Sequence, residues 1–182
     1  RDLRKGTVTQ MIIDTYQSSA VMRILQSGEV YWAKPSISFK GEYAALIDML
    51  GLHCECPIFG VVHGRKQNTG GRVSGAVRIR LNVPKEYVRL TEYSVWVDFM
   101  SNFKYTSQKD YRTIIVGTKD ANSITHQRLI ADLKNQRPLY KYRVPQAILE
   151  YIDPQWVLRY KIIHNTREQE DKKEKFLNLF RF

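Results

Sequence analysis

At 182 residues, of which 43% are hydrophobic and 12% aromatic, the chain can form one domain with its own core, which excludes a disordered chain. The net charge of +11 and the pI of about 9.7 favour polyanionic partners, above all nucleic acid. The sequence has no apolar run long enough for a membrane span, so we expect no membrane partner. Cys54 and Cys56 are too few for a disulfide framework, which favours a reducing, cytoplasmic compartment.

The first part of the chain predicts alternating strands and helices. Met11–Tyr16 is a short apolar run typical of a strand. Ser18 or Ser19 can cap the helix that follows, and Gly28 can end it. The next predicted elements are a strand at Val30–Ala33, a helix with the apolar face Tyr43, Leu46, Ile47 and Leu50 that Gly51 can end, and a buried strand at Pro57–Val62.

The next part contains a strand with two different faces. Val77, Ile79 and Leu81 alternate with Arg78 and Arg80, which predicts one core face and one basic face. The remaining predicted elements are a strand at Tyr87–Leu90, a helix at Tyr93–Asn102, a strand at Tyr111–Val116, a helix carrying Ile124 and Leu133, and strands at Val144–Tyr151 and Trp156–Ile163.

Together these elements indicate an α+β fold in a single compact domain over residues 1–163, with a mixed split sheet and flanking helices. Residues 164–182 are densely charged and then apolar. We predict a helical tail there, which either packs on the domain or docks on a partner protein.

A glycine-rich basic segment is the first candidate for phosphate binding. Between Val61 and Arg80 the chain carries five cations and no acid, and a flexible backbone with exposed donors suits phosphate contact. No glycine-lysine-serine or glycine-lysine-threonine sequence is present, which excludes a Walker loop. The alternative is a solvated hairpin loop. The candidate nucleic-acid-binding residues are Arg65, Lys66, Arg72, Arg78 and Arg80.

A second basic segment, Lys134–Arg143, interleaves cations with tyrosines and again contains no acid. Phosphate contacts combined with base stacking are the usual way to bind a single strand. The alternative is a loop whose tyrosines pack on the core with their hydroxyls outward. The candidate nucleic-acid-binding residues are Lys134, Arg137, Tyr140, Lys141, Tyr142 and Arg143.

The cysteines and histidines give no metal or nucleophile motif. Cys54 and Cys56 lie close to His53 and His63, but their spacing does not fit a common zinc site, so we expect no metal. On a strand the two thiols would share one side as buried apolar groups. The sequence also lacks a serine nucleophile motif and a dinucleotide-binding glycine motif.

The segment Leu81–Trp96, LNVPKEYVRLTEYSVW, resembles the signature of an uncharacterised bacterial family, domain of unknown function 3841. Thr15–Ser18, Pro57–Phe59 and the stretch from Gln146 to Glu150 resemble shorter parts of that family, so the likeness extends over about residues 11–163. The family often has a histidine where this chain has Val97, so any role of that histidine is lost. The resemblance implies kinship and no particular chemistry.

A second resemblance concerns architecture. A strand, a serine-capped helix, the sequence Leu-Gln-Ser-Gly-Glu and a short strand open the chain, and a late hairpin spans Pro145–Ile163. This arrangement resembles ADP-ribosyltransferases of the DNA-modifying toxin type, which bind NAD between split sheets. In them a glutamate on a late strand stabilises the ribosyl cation as nicotinamide leaves.

This second resemblance implies NAD as the cofactor and assigns a set of site residues. The family's glutamate falls near Gln146–Ile148, where this chain has no acid, and Glu150 is the nearest one. An inactive descendant that keeps only a binding cleft is the alternative. For Tyr16 and Trp32 the alternative is ordinary core packing. The implied catalytic residues are Glu150 and Gln146, and the implied cofactor-binding residues are Tyr16, Gln17, Ser18, Tyr31 and Trp32.

Three functional hypotheses follow from the sequence. The first is an ADP-ribosyltransferase-like enzyme that acts on nucleic acid or on a protein bound to it. The second is a non-catalytic module that binds nucleic acid through the two basic segments. The third is an interaction protein, such as an inhibitor from a bacterium or phage, that docks through Phe176–Phe182.

Overall fold

In the computed structural model, the described residues are 9–35, 39–66, 75–102, 115–116, 119–120 and 124–164. They form an α+β domain with a six-stranded sheet, a separate two-stranded sheet and four helices, beside one further short hairpin. None of the helices in these ranges has the length and apolar character that a membrane span requires.

The bounds of the elements follow the chain. The strands are β1 (Gln10–Gln17), β2 (Tyr31–Trp32), β3 (Ile58–Val62), β4 (Val77–Pro84), β5 (Arg89–Glu92), β6 (Ile115–Val116), β7 (Lys119–Asp120), β8 (Pro145–Leu149), β9 (Tyr151–Ile152) and β10 (Val157–Ile162). The helices are α1 (Ser19–Gln26), α2 (Lys40–Leu50), α3 (Tyr93–Asn102) and α4 (Ile124–Lys134). Short 3-10 helices occur at Lys85–Tyr87, Leu139–Lys141 and Pro154–Trp156.

The main sheet has the strand order β10-β4-β1-β3-β8-β5, and every ladder between these strands is antiparallel. The predicted mixed sheet is therefore wrong for the described strands. A single helix between two strands usually returns the chain parallel, but α1, β2 and α2 together separate β1 from β3 and bring the chain back in the opposite direction. The second sheet pairs β2 with β9.

The sheet has two faces, each with its own core. The first face carries Ile13, Ile79 and Leu81 and packs against Leu25 of α1. The second face carries Ile148 and Phe59, which pack beneath α2, α3 and α4. The helix residues that enter this second core include Leu46, Trp96, Phe99 and Leu133. These helices cover the β3–β8–β5 half, and the site described below lies mainly on the β10–β4–β1 half of the same face.

The helix boundaries follow the predicted start and stop residues. Ser18 caps α1, because its Oγ accepts a hydrogen bond of 3.4 Å from the backbone N–H of Val21. Gly51 follows α2 with a φ of +62°, a left-handed conformation that glycine adopts without strain. These two predictions are confirmed.

Two predicted strands have different bounds. The predicted strand Val144–Tyr151 is interrupted at Glu150, where the chain bends. As a result β8 pairs with β3 and β5 in the main sheet, while β9 pairs with β2 in the small one. The predicted strand Tyr87–Leu90 begins only at Arg89, since Tyr87 closes a 3-10 turn.

Gly60 allows β3 to lie close against β1. A Cβ atom at Gly60 would overlap Cγ2 of Ile13 and lie 3.2 Å from the carbonyl oxygen of Asp14. The adjacent Thr15 hydroxyl donates a hydrogen bond of 2.8 Å to the carbonyl oxygen of Phe59. This close approach fixes the end of β1 beside β3.

Several predictions fall outside the described residues. They include residues 111–114 of the predicted strand Tyr111–Val116, and Arg72 of the first basic segment. Residues 165–182, which hold nearly all of the predicted tail, also lie outside them.

Candidate nucleic-acid interface

Four cations of β4 and β10 lie on the second face of the sheet. The register places Arg80 opposite Arg159, and Arg78 opposite Lys161. Directly opposed residues of an antiparallel pair project to the same side, and Tyr160, between the two β10 cations, packs on the opposite, first-face core. Arg159 and Lys161 are exposed, and Arg78 and Arg80 are partly buried. We call these four side chains, Arg78, Arg80, Arg159 and Lys161, the cationic face.

The cationic face consists of two like-charge pairs. Opposed Cβ atoms lie about 5 Å apart, and like charges at that position destabilise a sheet. On β1, Asp14 and Tyr16 continue the two cross-strand rows, opposite Arg80 and Arg78. The four cations and the one carboxylate of Asp14 leave a net charge of +3. This net charge favours the binding of an anion.

Asp14 neutralises one of these cations. Its carboxylate accepts two hydrogen bonds of 2.7 Å from Nε and Nη2 of Arg80. Burial raises the pKa of the Asp14 carboxyl, but the hydrogen bonds from Arg80 and the charges of Arg80, Arg78 and His63 together lower it below its ordinary value of 3.8. The Arg80 guanidinium is thus paired with Asp14, which leaves Arg78, Arg159 and Lys161 to contact a ligand.

A cavity of about 320 Å³ adjoins the cationic face. Tyr16 connects the two, because it lines the cavity and lies opposite Arg78 in the sheet. The volume is at the lower end of the range for small-molecule sites. We call this space the Gln146 cavity, and its lining residues are Tyr16, Gln17, Ala33, Tyr43, Cys56, Pro57, Ile58, Phe59, Gly60, Val61 and Gln146.

Gln146 supplies a polar group to this cavity. The side chain is buried, and its Oε1 accepts a hydrogen bond of 3.3 Å from the hydroxyl of Thr91. Its Nε2 forms no hydrogen bond with any described residue, so it remains able to donate to a ligand. Nε2 of Gln17 donates to the Thr15 hydroxyl at 2.8 Å. The described lining contains no carboxylate.

The remaining cofactor candidates lie elsewhere. Ser18 is exposed and caps α1. Tyr31 and Trp32 pair with β9 and do not line the Gln146 cavity. The Trp32 ring lies 4.8 Å from the ring of Tyr151, between centroids. Of the five predicted cofactor residues, the structure therefore brings only Tyr16 and Gln17 to the cavity.

Glu150 and Gln146, the two catalytic candidates, line different cavities. Glu150 lines a second cavity, of about 190 Å³, whose seven lining residues include three aromatic side chains. Its Oε1 lies 3.7 Å from Nδ1 of His53, which is 89% exposed. The structure therefore does not bring Glu150 together with Tyr16 and Gln17.

The two remaining described candidates of the first basic segment differ in their contacts. The Arg65 guanidinium donates hydrogen bonds to the carbonyl oxygens of Leu139, at 3.1 Å, and Tyr142, at 2.6 Å. It therefore holds the second basic segment in place. Lys66 is exposed and is available to a ligand.

Tyr142 belongs to the core, which corrects its predicted role in base stacking. It is 2% exposed, and its hydroxyl lies 3.3 Å from the carbonyl oxygens of Leu90 and Asn135. Arg137 forms an ion pair of 2.8 Å with Asp132 and lies over the Tyr142 ring at 4.6 Å. The alternative of core packing therefore holds for Tyr142. Arg137 stabilises this loop through its contacts with Asp132 and Tyr142.

The other residues of the second basic segment remain accessible. Tyr140 is 72% exposed, and Nζ of Lys141 lies 5.4 Å from the centre of its ring. Lys134 and Arg143 are also exposed. These four side chains keep their predicted role as candidates for nucleic-acid contact.

Sequence reasoning missed Arg159 and Lys161. They occupy alternate positions of the predicted strand Trp156–Ile163, with Tyr160 between them, and this alternation was the available signal. Their position opposite Arg80 and Arg78 depends on a pairing between strands that are far apart in the sequence. No local pattern shows such a pairing.

The cysteines are poor nucleophiles in this fold. Burial raises the pKa of Cys54 to about 11, with further contributions from Glu150 and Cys56. Burial also raises the pKa of Cys56, which lines the Gln146 cavity. Both thiols are therefore protonated at neutral pH, whereas the thiolate is the reactive and metal-binding form.

Comparisons with family models, with curated proteins and with solved structures give no match for this chain. The geometry of the cationic face and of the cavities is therefore the basis for the function proposed next.

Proposed function

We propose that this chain binds nucleic acid through the cationic face of β4 and β10. The observation that carries the proposal is the cross-strand register of the four cations, with Arg78 opposite Lys161 and Arg80 opposite Arg159. Asp14 neutralises Arg80, and a polyphosphate chain would neutralise the remaining three cations with release of its counterions. Because phosphate contacts carry no sequence information, we expect binding with little sequence preference.

A single strand suits this surface better than a duplex. Tyr16 lies beside Arg78 and offers a ring next to the phosphate contacts. Tyr140 offers a second exposed ring beside Lys141. Aromatic rings that stack on bases, combined with cations that contact phosphates, are the usual features of single-strand binding.

Salt dependence of binding tests the proposal. The double variant Arg78→Gln/Lys161→Gln should bind more weakly, because two phosphate contacts are lost. The slope of log affinity against log salt concentration should become shallower by about 1.4 for a single strand and about 1.8 for a duplex. Fluorescence anisotropy with labelled oligonucleotides across a salt series measures both quantities.

Arg128→Gln is the matched control, since Arg128 is an exposed arginine of α4 outside the cationic face. It should change the slope by less than the loss of one phosphate contact would, which is about 0.7 for a single strand and about 0.9 for a duplex. The proposal fails if the double variant keeps the slope of the unmodified protein, or if Arg128→Gln loses as much as the double variant does.

The second candidate function is an ADP-ribosyltransferase-like activity on the bound nucleic acid. It is favoured by the position of Tyr16, Gln17 and Gln146, which line one cavity adjacent to the cationic face. These residues fit the nicotinamide end of NAD, because Gln146 has a free amide donor in a cavity with aromatic walls. The lack of a carboxylate in the described lining speaks for binding rather than for catalysis.

A thermal melt with NAD tests this candidate. NAD at about 100 times its dissociation constant should stabilise the protein by roughly 2.7 kcal/mol. Gln146→Leu should remove the shift, since it removes the amide donor, and Gln155→Leu, at an exposed glutamine outside the cavity, should retain it. If millimolar NAD gives no shift, the transferase candidate fails, while the nucleic-acid proposal stands or falls on its own salt series.

A further inference from the structure

The second cavity, of about 190 Å³, has walls made of aromatic rings and carboxylates. It shares no lining residue with the Gln146 cavity. Its lining residues are Leu52, Glu86, Tyr87, Arg89, Glu150, Tyr151 and Trp156. We propose that it binds the guanidinium group of an arginine side chain from a protein partner.

The aromatic walls provide faces for a flat cation. The ring centroids of Tyr151 and Trp156 lie 5.1 Å apart, and those of Tyr87 and Trp156 lie 5.3 Å apart. Trp32 extends the row beyond the cavity, tilted against Tyr151, and both Trp32 and Tyr87 remain about half exposed. A guanidinium stacks on such faces through cation–π attraction.

The carboxylates give the cavity a negative charge on a basic protein. Glu86 and Glu150 both line it, and Arg89 is the one cation in its lining. Nη1 of Arg89 donates a hydrogen bond of 3.1 Å to the carbonyl oxygen of Glu86. Burial raises the pKa of Tyr151, and the charges of Tyr87, Asp153 and Glu150 add to that rise. Glu150 is 25% exposed, so its contact with a cation is only partly screened by water.

The size of the cavity favours a side chain over a cofactor. Small-molecule sites usually exceed about 300 Å³, and this cavity is smaller. A phosphate or a nucleotide would meet the two carboxylates and is disfavoured by their charge. Among cations, guanidinium combines a planar stacking surface with a fork of donors that matches a carboxylate, whereas ammonium is a strongly hydrated point charge.

The experiment titrates the full chain with two peptides that differ in one group. One peptide carries a central arginine, and its twin carries citrulline, which has the same shape without the charge. Two of the three tryptophans, Trp156 and Trp32, belong to the aromatic row, so tryptophan fluorescence reports binding, and calorimetry gives the affinity. We expect saturable binding of the arginine peptide and at least about tenfold weaker binding of the citrulline peptide.

Two substitutions with opposite effects make the test independent of folding. Glu150→Gln should weaken binding of the arginine peptide by about tenfold. Arg89→Gln removes the competing cation and should tighten binding, which a partly unfolded variant would not do. Glu55→Gln, at an exposed carboxylate outside the lining, should leave the affinity unchanged.

Acetylated arginine amide distinguishes the source of the guanidinium. Weak binding of this small compound, together with stronger binding of the peptide, supports a protein partner. Equal affinity for both compounds overturns the protein partner as the source. The site itself is overturned if the citrulline peptide binds as well as the arginine peptide, if Glu150→Gln changes nothing, or if no arginine compound binds saturably.

Discussion

The carboxylate of Asp14 and the guanidinium of Arg80 are both largely removed from water, with side chains 2% and 13% exposed. Loss of one partner from such a pair leaves a charge that water no longer solvates, and this costs more than the pair itself contributes. His63 adds an imidazole nitrogen 3.8 Å from Asp14. Asp14 therefore holds Arg80 in place within the cationic face.

Asp14→Asn should destabilise the fold by about 3 kcal/mol at neutral pH, because Arg80 loses its counter-ion. The folded-state pKa of Asp14 lies below its ordinary value of 3.8, so its contribution is fully present above that value. It is lost as the pH falls through the lower, folded-state pKa. Urea denaturation of both proteins should show a stability gap that is constant near neutral pH and narrows progressively below pH 3.8.

The double variant Asp14→Asn/Arg80→Met tests whether the unpaired charge of Arg80 causes the loss of stability. Because it removes the orphaned cation as well, it should recover part of the stability that Asp14→Asn loses. A gap between the unmodified protein and Asp14→Asn that stays the same from neutral to acid pH would show that the Asp14 charge does not stabilise the fold.

Elements with a strong local pattern could be predicted from the sequence. In β4 the residues Val77, Ile79, Leu81 and Val83 are buried and alternate with partly buried ones, as the apolar period of two predicts. The capping of α1 by Ser18 follows from residue chemistry within a few positions. Such elements need no knowledge of distant parts of the chain.

Features that depend on distant pairing could not be predicted. The cationic face needs β10 beside β4, and the separation of Gln146 from Glu150 needs the chain to leave the main sheet after β8. Both are set by the packing of whole elements, since a continuous strand through Glu150 satisfies the local pattern equally well. The sequence therefore predicted Arg78 and Arg80 as site residues but not Lys161 and Arg159, which lie opposite them.

The second basic segment shows the same limit within a loop. Gln136 pairs with both the N–H and the carbonyl of Leu90, at 2.9 and 3.0 Å, and so continues the sheet at the edge strand β5. Glu92 accepts from the backbone N–H groups of Arg143 and Val144. These contacts make the segment a fixed part of the domain, whereas its composition indicated only a basic surface.

Charge is distributed unevenly over the whole molecule. The chain has 29 Lys and Arg residues against 18 Asp and Glu residues. The cationic face concentrates positive charge on two neighbouring strands, while the cavity beside Glu150 carries net negative charge. Composition alone predicted an anionic partner, and the fold adds a distinct place for a cationic one.

Repulsion within this net charge of +11 should make the stability of the free protein depend on salt. Raising sodium chloride from about 0.05 M to about 0.5 M shortens the screening length to a few ångströms, so the Tm should rise. At equal ionic strength, sulfate should raise the Tm further if anions occupy the cationic face, beyond its general stabilising effect. The Tm of the Arg78→Gln/Lys161→Gln variant should rise less with salt than that of Arg128→Gln, because the double variant has lost one pair of opposed cations from the cationic face. A Tm that falls with salt, or equal responses of the two variants, would show that the opposed cations of β4 and β10 do not strain the fold.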